Sequence, residues 1–339
     1  MREIQVGTNE AGQRLDKLLG KVLKEAPKSF CYKMLRKKNI TLNDKKADGS
    51  EKLSLGDVVK IYLAAETYLK FAGETDGYQK GIQEVTKKAQ NLAPMDILYE
   101  DDNVLLINKP AGVLSQKARP EDVSVVEQII AHELEQGRAT AETLQTFRPS
   151  VCNRLDRNTS GIIVAGVSLT GLQVMSQMLK DRTMHKYYLC LVSGSVTEKQ
   201  RISGYLTKNK NTNQVQISPK PLNAQSQPIE TEYEPIAGNQ HVTLLKVLLI
   251  TGRSHQIRAH LSSIGHHLIG DTKYGREKVN KHYQKCYGLT HQLLHSYRME
   301  LPQIEGDLSY LSNKVIEAPL PKQFVQILEG EHISGYRLP

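Results

Sequence analysis

Asp156 lies between two arginines, immediately before a strongly apolar segment. Arg154 precedes it by two residues, Arg157 follows it directly, and the run from Ile162 to Ala165 is typical of a buried strand. Neighbouring cations favour the ionised form of a carboxyl group. An ionised carboxylate is available as a nucleophile or as a general base. A solvated loop is the alternative interpretation of the same residues.

A second segment, K-Y-Y-L-C-L-V, places two tyrosines on a predicted strand over 186–194. Tyr187 and Tyr188 must point to opposite faces, because successive side chains alternate along a strand. One ring can therefore face a cleft, where it can stack on a base and offer its hydroxyl. The alternative is that both tyrosines are structural.

A third segment, T-G-R-S-H-Q-I-R-A-H-L, crowds basic groups at the predicted start of a helix, with Ser254 as the expected cap. Arg253, His255 and Arg258 would lie near the helix N-terminus, which favours anions such as a carboxylate or a phosphate. His255 and His260 are five residues apart, so they do not share a helix face as zinc ligands would.

Several other kinds of site are disfavoured by missing patterns. The sequence has no G-x-G-x-x-G and no P-loop, which argues against an enzyme with a nucleotide cofactor. A hydrolase using Ser160 with His255 would need a nucleophile elbow, which is absent. The cysteines include no C-x-x-C pair, so neither a structural zinc site nor a disulfide framework is expected; they are Cys31, Cys152, Cys190 and Cys286. We expect no metal and no cofactor.

The segments between these groups predict long strands interrupted by helices. Apolar periodicity indicates helices over 123–136 and 169–181, a strand over 161–168, and a turn entering a helix over 251–265. This order argues for an α+β fold. We expect a large mixed, mainly antiparallel β-sheet domain with flanking helices over 94–335.

The first 64 residues predict a small, basic α/β unit. They contain 14 Lys and Arg against 8 Asp and Glu, a net of +6 out of +9 for the whole chain. A helix is expected over 14–25 and a second one from Ser29, which would cap it, with basic side chains along one edge; these are Lys33, Arg36 and Lys37. Such a local excess suggests a polyanionic partner, although a merely soluble basic surface is the alternative. Residues 65–93 are predicted to be a linker.

The chain contains no apolar run of 18 or more residues, so no membrane span is expected. Its N-terminus lacks the apolar core of a signal peptide. We therefore expect a cytoplasmic protein without membrane contact, and a monomer.

Taken together, the motifs resemble those of the RluA/RluC/RluD family of pseudouridine synthases. The resemblance covers nearly the whole chain and rests on ILYEDDNVLLINKPAGVLS, NRLDRNTSGIIVAG, KYYLCLVSG, ITGRSHQIRAHLSSIGHHLIGDTKYG and LLHSYRMELP. The family usually has histidine where this chain has Asn153, which puts the loop geometry in doubt more than the reaction type. The segments RLDKLL, MLRKKNITLNDKK and LSLGDVVKIYL make residues 1–64 similar to the S-four-type (alpha-L) RNA-binding domain.

The resemblance implies that uridine in RNA is isomerised to pseudouridine without a cofactor, after the nucleotide is flipped out of the stack. Asp156 matches the catalytic aspartate, Tyr188 the active-site tyrosine and Arg258 the arginine that pairs with the aspartate. Arg154 matches a residue that fills the gap left by the flipped base. Further contacts to the substrate are expected from Thr159, Lys109, Arg253 and His255, and phosphate contacts from the N-terminal Lys33, Arg36 and Lys37.

The substrate remains open between two kinds of RNA. The basic N-terminal unit favours large-subunit ribosomal RNA, and transfer RNA is the alternative. A non-catalytic RNA-binding factor in ribosome assembly is a third reading, but the chain retains the aspartate, the tyrosine and the second arginine that such a factor could have lost.

Overall fold

A computed structural model describes residues 1–72, 86–87, 89, 93–141, 143–209 and 214–333 of the 339-residue chain. Its buried apolar side chains form separate clusters. One cluster is made only of residues from the first 72, and the others surround one large β-sheet. The N-terminal unit and the sheet domain thus each have a core of their own.

The N-terminal unit combines two helices with a four-stranded sheet of order β1-β4-β2-β3. Leu15, Leu18, Leu19 and Val22 are all buried on one face of α1, as the spacing of apolar residues predicts. The elements are β1 (Arg2–Gln5), α1 (Leu15–Val22), α2 (Lys28–Arg36), β2 (Ile40–Leu42), β3 (Lys45–Lys46) and β4 (Val58–Ile61).

Two sequence predictions need correction in this unit. Helix α2 begins at Lys28, and Pro27 occupies the position before it with no side-chain cap, so Ser29 lies inside the helix. The predicted linker begins with a helix, α3 (Ala65–Ala72), whose Phe71 ring lies 4.3 Å from that of Phe30. The first eight residues of that segment therefore pack on the N-terminal core, whereas most of the remainder lies outside the described residues.

The large sheet has 11 strands, and its main path is β11-β10-β12-β13-β9-β14-β8-β6-β5. Off this path, β15 pairs with β14 and β7 pairs with β8. The β14–β8 pair is parallel, while the other described pairs of this sheet are antiparallel. The prediction of a mixed, mainly antiparallel sheet is confirmed. The strands are β5 (Ile97–Glu100), β6 (Val104–Lys109), β7 (Ser150–Val151), β8 (Ser160–Gly166), β9 (His185–Ser193), β10 (Gln200–Lys208), β11 (Val215–Ser218), β12 (Gln227–Gly238), β13 (Val242–Leu249), β14 (Leu294–Glu300) and β15 (Val315–Glu317).

Helices flank this sheet, and apolar side chains from both layers form the interfaces. Met175 and Met178 of α6, for example, pack with Ile162 and Val164 of β8. The helices are α4 (Val125–Glu135), α5 (Thr143–Thr146), α6 (Leu169–Asp181), α7 (Gln256–Ser263), α8 (Glu277–Tyr287) and α9 (Lys322–Gly330), with a 3-10 helix at Gly306–Leu311. In the part of the chain that the structure describes, no helix has the length and apolar character needed to cross a bilayer.

The centre of the sheet brings three distant segments together. β9 lies between β13 and β14, and β14 lies beside β8. A Cβ atom on Gly161, at the start of β8, would be 2.1 Å from the carbonyl oxygen of Ser296, so glycine is required for this close approach. Three segments consequently meet at one edge of the sheet, where strands begin or end. They are the loop before β8, the start of β9 and the turn after β13.

Candidate active site

Arg258 holds two carboxylates at this edge. Its Nη1 donates to Oδ2 of Asp156 at 2.7 Å, while Nε and Nη2 donate to Oδ2 and Oδ1 of Asp271 at 2.7 and 2.9 Å. The Asp271 side chain is 0% exposed and that of Asp156 is 25% exposed. The buried carboxylate therefore fixes the guanidinium, and the guanidinium in turn fixes the carboxylate that faces solvent.

Sequence reasoning missed Asp271. Its Oδ1 also accepts the backbone N–H groups of Lys273 and Tyr274 at 2.8 and 3.0 Å, which locks the turn after α7. The residue belongs to the G-D-T-K-Y-G stretch that contributes to the family resemblance. An aspartate that follows a glycine in a turn was the available signal, but nothing in its spacing points to Arg258.

Electrostatics favour this arrangement. Burial alone would lower the pKa of Arg258, but the hydrogen bonds and charges of Asp271 and Asp156 raise it above its usual range. Burial alone would raise the pKa of Asp271, but Arg258 and the two backbone N–H groups lower it. Both members of the buried pair are thus charged, and each hydrogen bond between them is charge-assisted.

Tyr188 is buried at the base of the same cleft. Burial raises its pKa to about 12, and the charge of Asp156 acts in the same direction. The phenol is therefore neutral at physiological pH and keeps a proton to donate. Tyr187 points to the other face of the sheet, as expected from alternation, and its hydroxyl lies 3.4 Å from Glu300.

The cleft around these groups has a volume of about 840 Å³. That is within the range of pockets that enclose a small molecule. Among the residues lining it are the sequence-predicted Asp156, Tyr188, Arg258, Arg154, Thr159, Arg253 and His255. Arg154 is exposed there, which suits a contact with RNA.

His255 lies next to the carboxylate but is not its main partner. Its Nε2 is 3.9 Å from Oδ2 of Asp156, and its Nδ1 is hydrogen-bonded to the Tyr274 hydroxyl at 2.9 Å. Burial lowers the pKa of His255, partly offset by Asp156. That hydroxyl also accepts the Val215 N–H at 2.9 Å, so Tyr274 holds the His255 ring beside the carboxylate.

The start of α7 differs from the prediction. Ser254 is not the cap, because His255 occupies that position in a left-handed conformation with φ 56° and the helix begins at Gln256. The Gln256 side chain provides the local hydrogen bonds instead. Its Oε1 accepts the Arg253 N–H at 3.1 Å and the Thr251 hydroxyl at 2.8 Å.

Lys109 does not contact the substrate side of the cleft, which corrects the sequence prediction. Its side chain is fully buried, and Nζ donates to the carbonyl oxygens of Pro110, Val113 and Arg157 at 2.9, 2.8 and 3.0 Å. Burial lowers its pKa to about 7, against the effect of Asp156. Lys109 therefore ties the loop that carries Asp156 to the end of β6.

Thr159 lines the cleft and also holds this loop. Its N–H donates to the carbonyl oxygen of Asp156 at 3.0 Å, and its hydroxyl accepts from Gln292 at 3.1 Å. The N-terminal Lys33, Arg36 and Lys37 are exposed on and after α2 and do not line the cleft. The structure thus separates a catalytic cleft from a basic surface on the other unit.

Known proteins resemble this chain in sequence and in fold. Residues 103–263 match the family model described as RNA pseudouridylate synthase. The chain is 30% identical over 334 residues to the ribosomal large subunit pseudouridine synthase C of Vibrio vulnificus, covering 98% of this chain and 96% of that protein. The enzyme of the same name from Salmonella typhi is also 30% identical, over 331 residues, covering 96% and 95%.

The chain belongs to the RNA pseudouridylate synthase family. A solved structure of human RNA pseudouridylate synthase domain containing 4 shares the fold, with a TM-score of 0.60 and 20% identity over 75% of this chain and 99% of that one. The protein is thus an enzyme that isomerises uridine to pseudouridine in RNA.

In this pseudouridine synthase, Asn153 takes the place of the histidine that the resemblance leads one to expect. Its Nδ2 donates to the carbonyl oxygen of Ile162 at 3.2 Å, and its Oδ1 accepts the N–H of Val164 at 2.8 Å. Asn153 therefore binds the backbone of β8 with both ends of its amide. This anchors the loop that carries Asp156 to the strand that follows it.

Two alternative interpretations of this chain, a hydrolase and a metal-binding protein, have no support in the geometry of the described residues. Ser160 is buried and bonded to His295 at 2.9 Å, not to His255, so the hydrolase pair is not formed. Glu100, His132 and Glu133 place ligand atoms within 4.8 Å of one another, but Nη2 of Arg138 contacts both carboxylates. A guanidinium therefore fills the position that a metal ion would need.

Proposed function

We propose that this synthase modifies uridines of large-subunit ribosomal RNA. The supporting observation is its match, over nearly the full length and including the basic N-terminal unit, to enzymes named for that RNA. We also propose that it acts as a monomer in the cytoplasm. Transfer RNA is the alternative that the experiment below distinguishes.

In the proposed mechanism Asp156 supplies the reacting carboxylate. Arg258 occupies its Oδ2, whereas Oδ1 accepts no hydrogen bond from the residues described in the structure. Oδ1 is thus the oxygen that meets the flipped uridine in the cleft. The bond from the sugar to N1 breaks, the uracil rotates, and a bond forms to C5. The C5 proton leaves and N1 gains one, so the isomerisation needs no oxidant and no cofactor.

Tyr188 forms the base of the cleft in this mechanism. Its ring offers an aromatic face against the uracil, and its neutral hydroxyl is a donor for a proton in transit. Arg154, exposed at the cleft entrance, occupies the place left by the flipped base. Arg253 and His255 line the same wall and complete the contacts to the nucleotide.

We further propose that the N-terminal unit is an S-four-type RNA-binding domain. Lys33, Arg36 and Lys37 are exposed together, where lysine and arginine contact phosphates without reading sequence. The N-terminal unit is also hydrogen-bonded to the catalytic domain, because the N–H of Leu169 donates to Oδ1 of Asn9 at 2.9 Å. This unit would position a large structured RNA over the cleft.

A pseudouridine map of ribosomal and transfer RNA from cells lacking the gene tests the proposal. The comparison strains carry the wild-type gene or its Asp156→Ala variant. We expect specific large-subunit sites to vanish and only the wild-type gene to restore them. Lost sites in transfer RNA would contradict the substrate assignment. Identical maps in all strains would contradict the proposal and favour a non-catalytic assembly factor.

A further inference from the structure

Lys186 is a largely buried lysine on the wall of the cleft. Its residue exposure is 7%, and it lies two positions before Tyr188 on β9, so both side chains point to the same face of the sheet. Among the residues that the structure describes, none accepts a hydrogen bond from its Nζ, and the ammonium opens into the cleft. An ammonium held there on a buried stem, with no acceptor among the described residues, is placed to bind an anion that enters the cleft.

The groups that surround Lys186 are also basic. The turn after β13 passes close by, since a Cβ atom on Gly252 would lie 3.9 Å from Lys186 Nζ. The next residue, Arg253, has a buried Nε that finds no hydrogen-bond partner among the described residues. Burial and the charge of Arg182 both lower the pKa of Lys186, and no carboxylate acts against them.

Arg182 supplies the third cation. It ends α6 in a left-handed conformation with φ 62°, is exposed, and lines the same cleft as Lys186 and Arg253. The charge of Arg182 helps to lower the pKa of Glu230, but Oε1 of Glu230 already pairs with Arg201 at 2.6 Å. The Lys186 ammonium, the buried and unpartnered Nε of Arg253 and the exposed Arg182 guanidinium thus form one cationic pocket.

We propose that Lys186, Arg253 and Arg182 bind a backbone phosphate of the RNA next to the uridine that enters the cleft. This inference rests on the proposed function, because it takes the RNA substrate as given. A phosphate suits the pocket because it brings a full negative charge and several acceptor oxygens to donors that have none. The site would fix the sugar of the target nucleotide relative to Asp156, since a phosphate is covalently attached to it.

Binding measurements on Lys186→Met test this role. The RNA is a ribosomal fragment that the wild-type enzyme modifies, and each protein also carries Asp156→Asn so that the RNA is not converted. We expect Lys186→Met to raise Kd about 10- to 100-fold, the range of a lost charge-assisted hydrogen bond. The slope of log K against log salt should shrink by about 0.7 to 0.9, as for one lost phosphate contact. Lys281→Met, on α8 and outside the cleft, is the control for a simple change in net charge.

A change in the RNA isolates the phosphate. Each phosphate flanking the target uridine is replaced in turn by an uncharged methylphosphonate. At one of them we expect a loss of affinity in the otherwise unaltered protein and no further loss in Lys186→Met. An equal loss in both proteins at both positions would overturn the proposal, as would wild-type affinity of Lys186→Met. Arg253→Gln provides a second variant with the same expected pattern if Lys186→Met fails to fold.

The outcome for this pocket is separable from that of the proposed function. If the wild-type enzyme forms no pseudouridine in ribosomal fragments, the proposed substrate is wrong. The same binding series is then run on the transfer RNA that it does modify. If turnover is normal on ribosomal fragments and Lys186→Met binds them as tightly as the wild type, only the phosphate pocket is refuted.

Discussion

Replacing Asp271 by Asn tests whether the buried carboxylate organises the reacting one. In the wild type, Oδ1 of Asp271 accepts from Arg258 and from the two backbone N–H groups of the turn, while its Oδ2 accepts from Nε of Arg258 at 2.7 Å and from no other described residue. An asparagine would keep its oxygen at the three-donor position. Its NH₂ group would then face Nε–H, so one attraction becomes a repulsion between two donors.

The expected magnitude follows from burial. Breaking a buried ion pair costs about 3–5 kcal/mol. Since the asparagine retains one acceptor for Nη2, we expect Asp271→Asn to lower the free energy of unfolding by about 2–4 kcal/mol. Arg258 should also lose its fixed orientation towards Asp156. We expect kcat to fall by about 10- to 100-fold, because small displacements of a reacting group have effects of that size.

Urea unfolding and single-turnover pseudouridine formation measure the two effects separately. Asp156→Asn is the matched control, because it removes the exposed partner and leaves Arg258 bound to Asp271. That control should abolish turnover with little loss of stability and of RNA affinity. Wild-type turnover by a destabilised Asp271→Asn would refute the idea that Asp271 positions Asp156. Unchanged stability would refute the energetic argument itself.

Three other predictions follow from buried groups. Tyr188→Phe keeps the ring and removes the hydroxyl, so kcat should fall by about 100-fold at unchanged RNA affinity, and equal turnover would exclude proton transfer by Tyr188. Lys109→Met removes a donor shared by three carbonyl oxygens, of which, in the described part of the chain, only that of Arg157 also accepts the Gly112 N–H, and urea unfolding should show a loss of stability of about 2–3 kcal/mol. Burial lowers the pKa of His260 and His295 from 6.5 to about 4, so only the unfolded chain binds their protons between these values; unfolding curves should show stability falling as pH drops from 6.5 towards 4.

The strands and helices of the catalytic domain were predictable because their apolar residues follow simple periods. Strand 161–168 and helix 169–181 correspond to β8 and α6 within two residues. The first turn of a helix was less predictable. Ser254 has the right side chain for a cap, yet the backbone turns through His255 in a left-handed conformation with φ 56°, and this makes His255 the residue before the helix. A left-handed turn at a residue other than glycine is uncommon, and the sequence pattern does not show it.

The site itself was predictable only where its residues lie in motifs. Asp156 and Arg258 were expected to pair from the resemblance, and they lie 2.7 Å apart. Asp271 was missed because its pairing depends on how the turn after α7 folds back. Lys109 was misplaced because lysine is usually exposed. Its burial depends on carbonyl oxygens that include that of Arg157, 48 residues away in sequence.

The arrangement around Arg258 explains how one carboxylate can be both fixed and reactive. A guanidinium presents a rigid fork, so two of its nitrogen atoms can bind Asp271 while the third binds Asp156. A lysine could neutralise both carboxylates, but it could not fix their relative orientation. Asp271 binds the buried edge of the guanidinium. Asp156 therefore binds it through only one oxygen and stays partly exposed. The other oxygen is then held at a defined place in the cleft without being consumed by a hydrogen bond, which is what a reacting carboxylate requires.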